Sequence, residues 1–232
     1  MKFFRKQSIS LLLLALAAAC VDERQPSDYE KFFIAYGTVI SAPERSLFVV
    51  LDDKDTMLLV AESAIPLEFF KDEMRLIIDY SILEKAAPGE PYHYRARVNQ
   101  AMEIATVEVN IAGDNAGDDP IAVENYWLAR GFLTFKYSVR GTTFKHAINL
   151  ALLPPPREEE DDPNEPFVAL ELQHDATGDP NNDSLTDLIS FPLYKVFPDA
   201  TDPIRLRISY NDPEKAGGKT TIEITYYPRA TT

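Results

Sequence analysis

Apolar and polar residues alternate with a period of two along most of the second half of the chain. Between Leu133 and Val139 every odd position is apolar and every even position is polar. The same alternation returns in residues 144–150, 168–174, 204–210 and 222–226. Strands with one buried face give this pattern, because successive side chains point to opposite faces of a sheet. These segments predict an antiparallel β-sandwich.

The first half is also rich in strands, but they are shorter and more varied. The expected strands cover residues 36–40, 47–51, 57–61 and 75–83, followed by a long bending strand over residues 92–109. Between the third and the fourth strand, Pro66 precedes Phe69 and Phe70, which predicts a helical turn within residues 65–74. This order predicts a five-stranded barrel of the oligonucleotide/oligosaccharide-binding (OB) type. The expected fold class is therefore all-β.

A Gly/Asp-rich segment, residues 112–120, separates the two halves and offers little that could pack. It predicts an OB-like barrel domain over residues 31–113 and a β-sandwich domain over residues 118–230. Within the second domain, residues 154–166 combine three consecutive prolines with a run of acidic residues. That composition indicates a solvated hairpin tip.

The N-terminus has the pattern of an export signal. Lys2, Arg5 and Lys6 precede an apolar run over residues 9–19, and Cys20 follows it. A run of about a dozen residues is too short to cross the ~30 Å core of a bilayer as a helix. We therefore interpret residues 1–19 as a signal peptide that is absent from the mature protein.

Cys20 is the only cysteine in the 232 residues and follows small residues of the kind that a lipoprotein signal peptidase accepts. This position predicts that its thiol carries a lipid, which would anchor the protein to a membrane. The alternative is an ordinary secreted protein with a chance cysteine. Residues 20–30 are polar and suit a flexible tether. Acidic residues after Cys20 favour an outer-membrane lipoprotein that faces the cell surface rather than the periplasm.

The formal net charge is −14, and removal of the three basic residues of the signal peptide takes it to about −17. Such a protein repels nucleic acid, so no nucleic-acid partner is expected in spite of the OB-like barrel. The hydrophobic content of 45% predicts a globular rather than a disordered chain.

The second half contains a Trp…His…His order that is typical of one family. Residues 127–137 read WLARGFLTFKY, residues 146–150 read HAINL and residues 170–175 read LELQHD. Upstream, residues 75–80, 82–83 and 92–106 fit the first domain of the same family. On these segments the chain resembles the NigD-like lipoproteins of gut and oral Gram-negative bacteria over about residues 30 to 228.

The resemblance implies an N-terminal OB domain, a C-terminal β-sandwich and an association with bacteriocin-type loci, without an established activity. The chain departs from the family at two places. Glu73 and Met74 occupy a turn that usually contains glycine, and Gln173 replaces the usual arginine before the second histidine.

No strong catalytic motif is present: the sequence lacks HExxH, GxSxG, a P-loop and a GxGxxG. A single, lipidated cysteine excludes thiol catalysis and cysteine-ligated zinc. We therefore expect a non-enzymatic binding or interaction module without a cofactor or metal, whose partner is an envelope protein or a glycan. The alternatives are a bacteriocin-associated immunity or accessory lipoprotein, and a hydrolase that uses carboxylates.

His146 and His174 each continue a run of apolar residues spaced by two, which predicts that both point into the sandwich core. As core residues, each would bond to a backbone carbonyl or a Tyr hydroxyl. A metal pair would need a further ligand that the pattern does not supply.

Two weaker candidate sites remain. Residues 175–187 are rich in oxygen-bearing side chains, and Asp175, Asp179, Asn181 and Asp183 are the candidate ligands of a cation loop, although the EF-hand pattern fails at Ser184 and Ser190. An Asx-rich turn is the simpler interpretation.

The other candidate lies in the first domain, where His93, Arg95 and Arg97 form an outward-facing basic stripe that could contact an anionic ligand. Ion pairs with the protein's own carboxylates are the alternative for these residues.

Overall fold

The computed structural model describes residues 32–41, 46–60, 63–111, 117–142, 145–154, 166–180, 183–215 and 218–228. The first five strands form a closed barrel in the order β1-β2-β3-β5-β4. Their bounds are β1 Phe32–Ser41, β2 Leu47–Leu51, β3 Thr56–Leu59, β4 Arg75–Lys85 and β5 Tyr94–Glu103. The all-β class and the OB-like barrel predicted from the sequence are confirmed.

Alternating residues of the barrel strands point inward and form its core. Val39, Val49, Leu76, Ala96 and Val98 are fully buried there. A 3-10 helix, Leu67–Phe69, lies between β3 and β4, and Phe70 packs into the barrel core directly after it. Burial of these apolar side chains is the dominant favourable contribution to folding.

The second domain is a sandwich of two four-stranded sheets, ordered β13-β12-β10-β9 and β6-β11-β8-β7. Its strands are β6 Ala105–Thr106, β7 Ala122–Ala129, β8 Phe132–Gly141, β9 Ala147–Leu152, β10 Val168–Asp175, β11 Asp183–Pro192, β12 Ile204–Asn211 and β13 Lys219–Tyr226. A short helix, α1 Leu193–Val196, follows β11. Most neighbouring strands are antiparallel, but β10 with β12 and β6 with β11 are parallel.

The structure differs from the expected boundary between the domains. The expected strand over residues 92–109 is interrupted at Ile104, which is 2% exposed. The next two residues, β6, pair with Ile189 and Ser190 of the sandwich. The chain therefore leaves the barrel before residue 113, because the segment after Ile104 extends a sandwich sheet.

The sequence pattern also missed strand β7 and strand β11. Residues 183–187 belong to the segment interpreted above as an Asx-rich turn, yet they pair with residues 137–141 of β8. Polar residues dominate this half of β11, since its side chains there are mostly exposed, and the alternation that marks a half-buried strand is absent.

A buried polar cluster joins the two domains. The Arg75 guanidinium is fully buried and contacts both carboxylate oxygens of Asp52 at 2.6 and 2.7 Å. It also donates to the Thr134 hydroxyl at 3.2 Å, and Trp127 Nε1 donates to Asp52 at 2.7 Å. Thr134 and Trp127 belong to the sandwich, so we call this group the junction cluster.

A turn next to the junction cluster explains the usual glycine of the family. Glu73 has φ 62°, in the left-handed region that glycine adopts without strain. The Tyr194 hydroxyl of the other domain donates to the Glu73 carboxylate at 2.6 Å. A side chain at this position therefore adds a contact between the domains that glycine could not make.

Residues 1–31, which include the expected signal peptide, Cys20 and most of the tether, lie outside the described residues. Within the described ranges, no helix is long and apolar enough to cross a membrane.

Candidate functional site

An open pocket of about 780 Å³ lies at one end of the sandwich. It is formed where β8 ends, where β10 ends and where the chain enters β7. Apolar walls alternate with polar and charged groups, and the lining includes Pro120, Val139, Arg140, His174, Asp179 and Glu214. Pockets of several hundred Å³ with apolar walls and a few placed polar groups are typical of ligand sites.

A chain of hydrogen bonds runs through the wall of this pocket. Nδ1 of His174 is 2.8 Å from the carbonyl oxygen of Pro120, and Nε2 of His174 is 2.8 Å from Nδ1 of His146. Nε2 of His146 is 3.1 Å from Oδ2 of Asp179. We call Pro120, His174, His146 and Asp179 the histidine relay. The inward position expected for both histidines agrees with these contacts, but the bond between them and the role of Asp179 were not expected.

The residues around the relay leave no space for other side chains. A Cβ atom on Gly141 would lie 2.5 Å from Nε2 of His146 and 2.9 Å from Oδ2 of Asp179. A Cβ atom on Gly117, at φ 117°, would lie 2.5 Å from the carbonyl oxygen of His174. Glycine is therefore required at both positions for the relay to close.

Asp179 is held from its other side as well. Its Oδ2 accepts a hydrogen bond from the Thr142 backbone N–H at 2.9 Å, and its Oδ1 accepts one from the Thr142 hydroxyl. The side chains of His146 and Asp179 are 2% and 8% exposed. A buried carboxylate with several donors is stabilised in its ionised form.

Burial lowers the pKa of the His174 imidazole, against the opposing effects of the Pro120 carbonyl and Asp119. As the pH falls below the ordinary histidine pKa of ~6.5, the unfolded chain therefore binds a proton at His174 before the folded protein does. The stability from neutral His174 is present above pH ~6.5 and is lost as the pH falls below it, by at most about 1.4 kcal/mol per pH unit for one proton.

Urea unfolding between pH 5 and pH 7 measures this loss. We expect the pH slope to become smaller in His174→Gln and to stay unchanged in His93→Gln, because His93 lies exposed on the barrel. An equal slope in wild type and His174→Gln would contradict the assignment.

Two charged side chains at the pocket are available to a ligand. Arg140 and Glu214 are both exposed, and neither side chain forms a hydrogen bond or ion pair with any other described residue. By contrast, His174 uses both ring nitrogens within the relay. The pocket therefore offers one positive and one negative group beside apolar walls such as Val139.

The candidate cation loop has a different role at each described position. The Asp175 carboxylate accepts from the Thr177 N–H at 2.7 Å, as in an Asx turn. Asp179 belongs to the relay, and Asp183 is an exposed residue at the start of β11. Asn181 lies outside the described residues. Among all the residues that the structure describes, no group of three or more His, Cys, Asp or Glu side chains could hold a metal ion.

The basic stripe faces outward, since Ala96 and Val98, which alternate with its arginines, are buried. Arg95 forms an ion pair with Glu84 at 2.6 Å. His93 accepts a hydrogen bond from the Thr56 N–H at Nδ1 and has Asp55 nearby at 3.9 Å. Arg97 is exposed. The protein's own groups thus engage two of the three residues, and none of the three lines the pocket in the other domain.

Sequence reasoning identified His146, His174 and Asp179 but missed Arg140, Pro120 and Gly141. Arg140 occupies a polar position of an alternating strand, where exposed arginines are ordinary. Pro120 acts through its backbone carbonyl, which no side-chain pattern reveals. The Gly141–Thr142 pair directly after the β8 pattern was the one available signal, because glycine marks a close approach of backbone to another group.

A second surface feature lies on the barrel. Phe32, Ile34 and Tyr36 project from the outer face of β1 with 69%, 78% and 37% of their surface exposed, and Met102 on β5 is 57% exposed. Ile77 lies between Tyr36 and Met102 in the strand register. Exposed apolar patches of this kind are often interaction surfaces.

Comparisons with known proteins agree with this architecture. Residues 36–104 match the NigD-like N-terminal OB domain, and residues 103–226 match the NigD-like C-terminal beta sandwich domain. A search of curated proteins finds no match.

Several solved structures share the fold. A protein from Parabacteroides distasonis, provisionally described as toxin-related, is 24% identical with a TM-score of 0.64, covering 85% of this chain and 94% of that one. A NigD-like immunity protein from Bacteroides caccae is 21% identical with a TM-score of 0.58, covering 85% and 97%. A protein from Bacteroides fragilis, provisionally described as a lipoprotein, is 9% identical with a TM-score of 0.57, covering 87% and 100%. Because the two family matches together span most of its length, the chain belongs to the NigD-like family.

Proposed function

We propose that this protein is a cell-envelope lipoprotein that binds a ligand or partner without chemical turnover, and that the pocket at the end of the sandwich is its binding site. The observation that carries the proposal is the pocket of about 780 Å³, which combines apolar walls with the Arg140 and Glu214 side chains, neither of which is paired with another described residue. Its occupant carries polar groups of both kinds beside an apolar face, as a peptide segment or a glycan does.

The hydrogen bonds of the pocket wall favour binding over catalysis. A general base must present a free lone pair to its substrate within hydrogen-bond distance. Both ring nitrogens of His174 are engaged by Pro120 and His146, and both oxygens of Asp179 are engaged by Thr142 and His146. These buried groups hold the wall in place, so the carboxylate-based hydrolase is the weaker alternative.

Anchoring to the membrane belongs to the same proposal. The signal-like residues 1–19, the single cysteine and the polar tether support it, as does the fold shared with a protein provisionally described as a lipoprotein. The acidic residues after Cys20 favour outward exposure, and the strong negative charge argues against nucleic acid as the partner.

An immunity or accessory role is a second candidate. It is favoured by the family membership and by the fold shared with a NigD-like immunity protein. The pocket would then bind a segment of the antagonised peptide or of its receptor. Two observations would distinguish this role. Toxin-type genes would lie beside this gene and be expressed with it, and deletion of this gene would remove the protection of the cell against the toxin.

A pair of matched tryptophan variants tests the binding site. Ser184 and Thr221 are both exposed strand residues, but only Ser184 lines the pocket. The full chain is tagged and purified from its native cell envelope. We expect the wild-type protein and Thr221→Trp to co-purify with the same envelope component, and Ser184→Trp to lose at least 90% of it. A glycan array with the three proteins gives the same comparison for saccharides.

Equal retention by Ser184→Trp would show that binding does not use the pocket. Turnover of an envelope polymer by the wild-type protein would overturn the non-enzymatic part of the proposal.

A further inference from the structure

The direction of the hydrogen bonds in the histidine relay is fixed at one end by a backbone carbonyl. The Pro120 oxygen can only accept, so Nδ1 of His174 carries the hydrogen atom. In a neutral imidazole the second nitrogen is then an acceptor. Nε2 of His174 therefore accepts from Nδ1 of His146. Burial of His174, which is 2% exposed, favours this neutral form.

The same direction leaves the other end of the relay one proton short. Because Nδ1 of His146 is used as a donor, a neutral His146 would point the lone pair of Nε2 at Oδ2 of Asp179, 3.1 Å away. Two acceptors would then face each other in a buried place. Asp179 already accepts two hydrogen bonds from Thr142, so the missing proton belongs on the imidazole.

We propose that the histidine relay is a proton-binding site that holds one proton, as a His146 imidazolium paired with the Asp179 carboxylate beside a neutral His174. The proton comes from solvent, and no other bond forms or breaks. The site stands whether or not the pocket binds a ligand, and so goes beyond the proposed function.

One bound proton is the only number that satisfies every member of the relay. A second proton, on His174, would point two N–H groups at each other and break the bond between the rings. Loss of the proton on Nε2 of His146 would leave the lone pair of this nitrogen facing the Asp179 carboxylate. Since the relay ties the entry to β7, the end of β10 and the turn at Asp179 together, the bound proton supports the hydrogen bonds that hold the pocket wall.

The charged groups around the relay are of both signs, and none of them takes the place of the proton on His146. Asp119 lies beside His174 and favours its charged form, and His146 itself disfavours it. Arg140 and Glu214 line the pocket, and Lys145 precedes His146 in the chain. None of these side chains forms a hydrogen bond with His146 in the part of the chain that the structure describes. Asp179 is therefore the counter-ion of His146.

Nitrogen-15 NMR of the histidine rings in the full chain tests the proposal directly, since the sequence contains only three histidines. His93→Gln identifies the signals of the exposed ring. At pH 7 we expect both ring nitrogens of His146 to carry hydrogen, and only Nδ1 of His174 to do so. A His146 ring with one unprotonated nitrogen at pH 7 would overturn the proposal, and this reading requires no variant.

Asp179→Asn removes the counter-ion and retains the size of the side chain, and exposed Asp183→Asn is its control. We expect the imidazolium signal of His146 at pH 7 to be lost in Asp179→Asn and kept in Asp183→Asn. An imidazolium that persists in Asp179→Asn would show that another group holds the charge, which contradicts the ion pair. If Asp179→Asn does not fold, the wild-type spectrum alone decides.

Discussion

Replacement of Arg75 by methionine is expected to destabilise the protein by about 3–5 kcal/mol, the usual cost of removing one partner from a buried ion pair. The guanidinium is fully buried, while the Asp52 side chain is 14% exposed. Without Arg75, the Asp52 carboxylate loses two short hydrogen bonds in a place that water reaches poorly, and Thr134 loses a contact with the other domain.

The measurement is urea unfolding followed by two probes. Trp127 is the only tryptophan and lies at the junction cluster, so its fluorescence reports the contact between the domains. Circular dichroism reports all strands. We expect the two transitions to coincide in wild type, and the fluorescence transition to move to lower urea than the circular dichroism transition in Arg75→Met.

Two further variants make this prediction specific. Arg97→Met removes an exposed arginine of the same barrel and should change stability by no more than about 0.5 kcal/mol. Adding Asp52→Asn to Arg75→Met should recover part of the loss, because the unpaired charge is removed while Trp127 keeps an acceptor. Full stability of Arg75→Met would show that the junction cluster does not couple the domains.

The second large effect concerns the membrane anchor. Cys20→Ala should abolish the incorporation of radiolabelled palmitate and release the protein from the membrane fraction, because no other thiol is available for the lipid. Two or more acyl chains hold a protein firmly at a bilayer, so the change is expected to be complete rather than partial. Ser27→Ala, in the same tether, is the matched control and should keep the label.

Equal labelling of Cys20→Ala and wild type would contradict lipidation at this residue.

The strands with one buried face could be read from the sequence because burial imposes a strict period of two. The segment around Phe135 and Tyr137 is the clearest case, and it is the centre of β8. Strand β11 could not be read in this way, since residues 183–187 are mostly exposed and pair through their backbones. Backbone pairing leaves no trace in the side-chain pattern.

The boundary predicted between the domains differs from the one in the structure for a related reason. The apolar residues after Ile104 continue the pattern of the barrel strand, but they belong to the sandwich, because β6 pairs with Ile189 and Ser190. Alternation shows that a residue is buried and does not show which sheet buries it.

The candidate site was predicted in part. The spacing of His146 and His174 placed both rings in the sandwich, since each shares a face with apolar neighbours. Their mutual hydrogen bond requires that β9 and β10 be neighbours in the sheet, which alternation alone does not reveal. Asp179 was selected for its oxygen atoms as a cation ligand, and the fold instead turns its carboxylate toward His146.

Hydrogen–deuterium exchange of the full chain, with and without an extract of its native envelope, tests most directly whether the sandwich pocket is the binding site. We expect slower exchange at the pocket segments, residues 117–122, 138–142 and 174–179, and unchanged exchange at the outer face of β1. Slower exchange confined to residues 32–36 and 100–103, around the exposed apolar side chains of the barrel, would contradict it and place the interaction on the other domain.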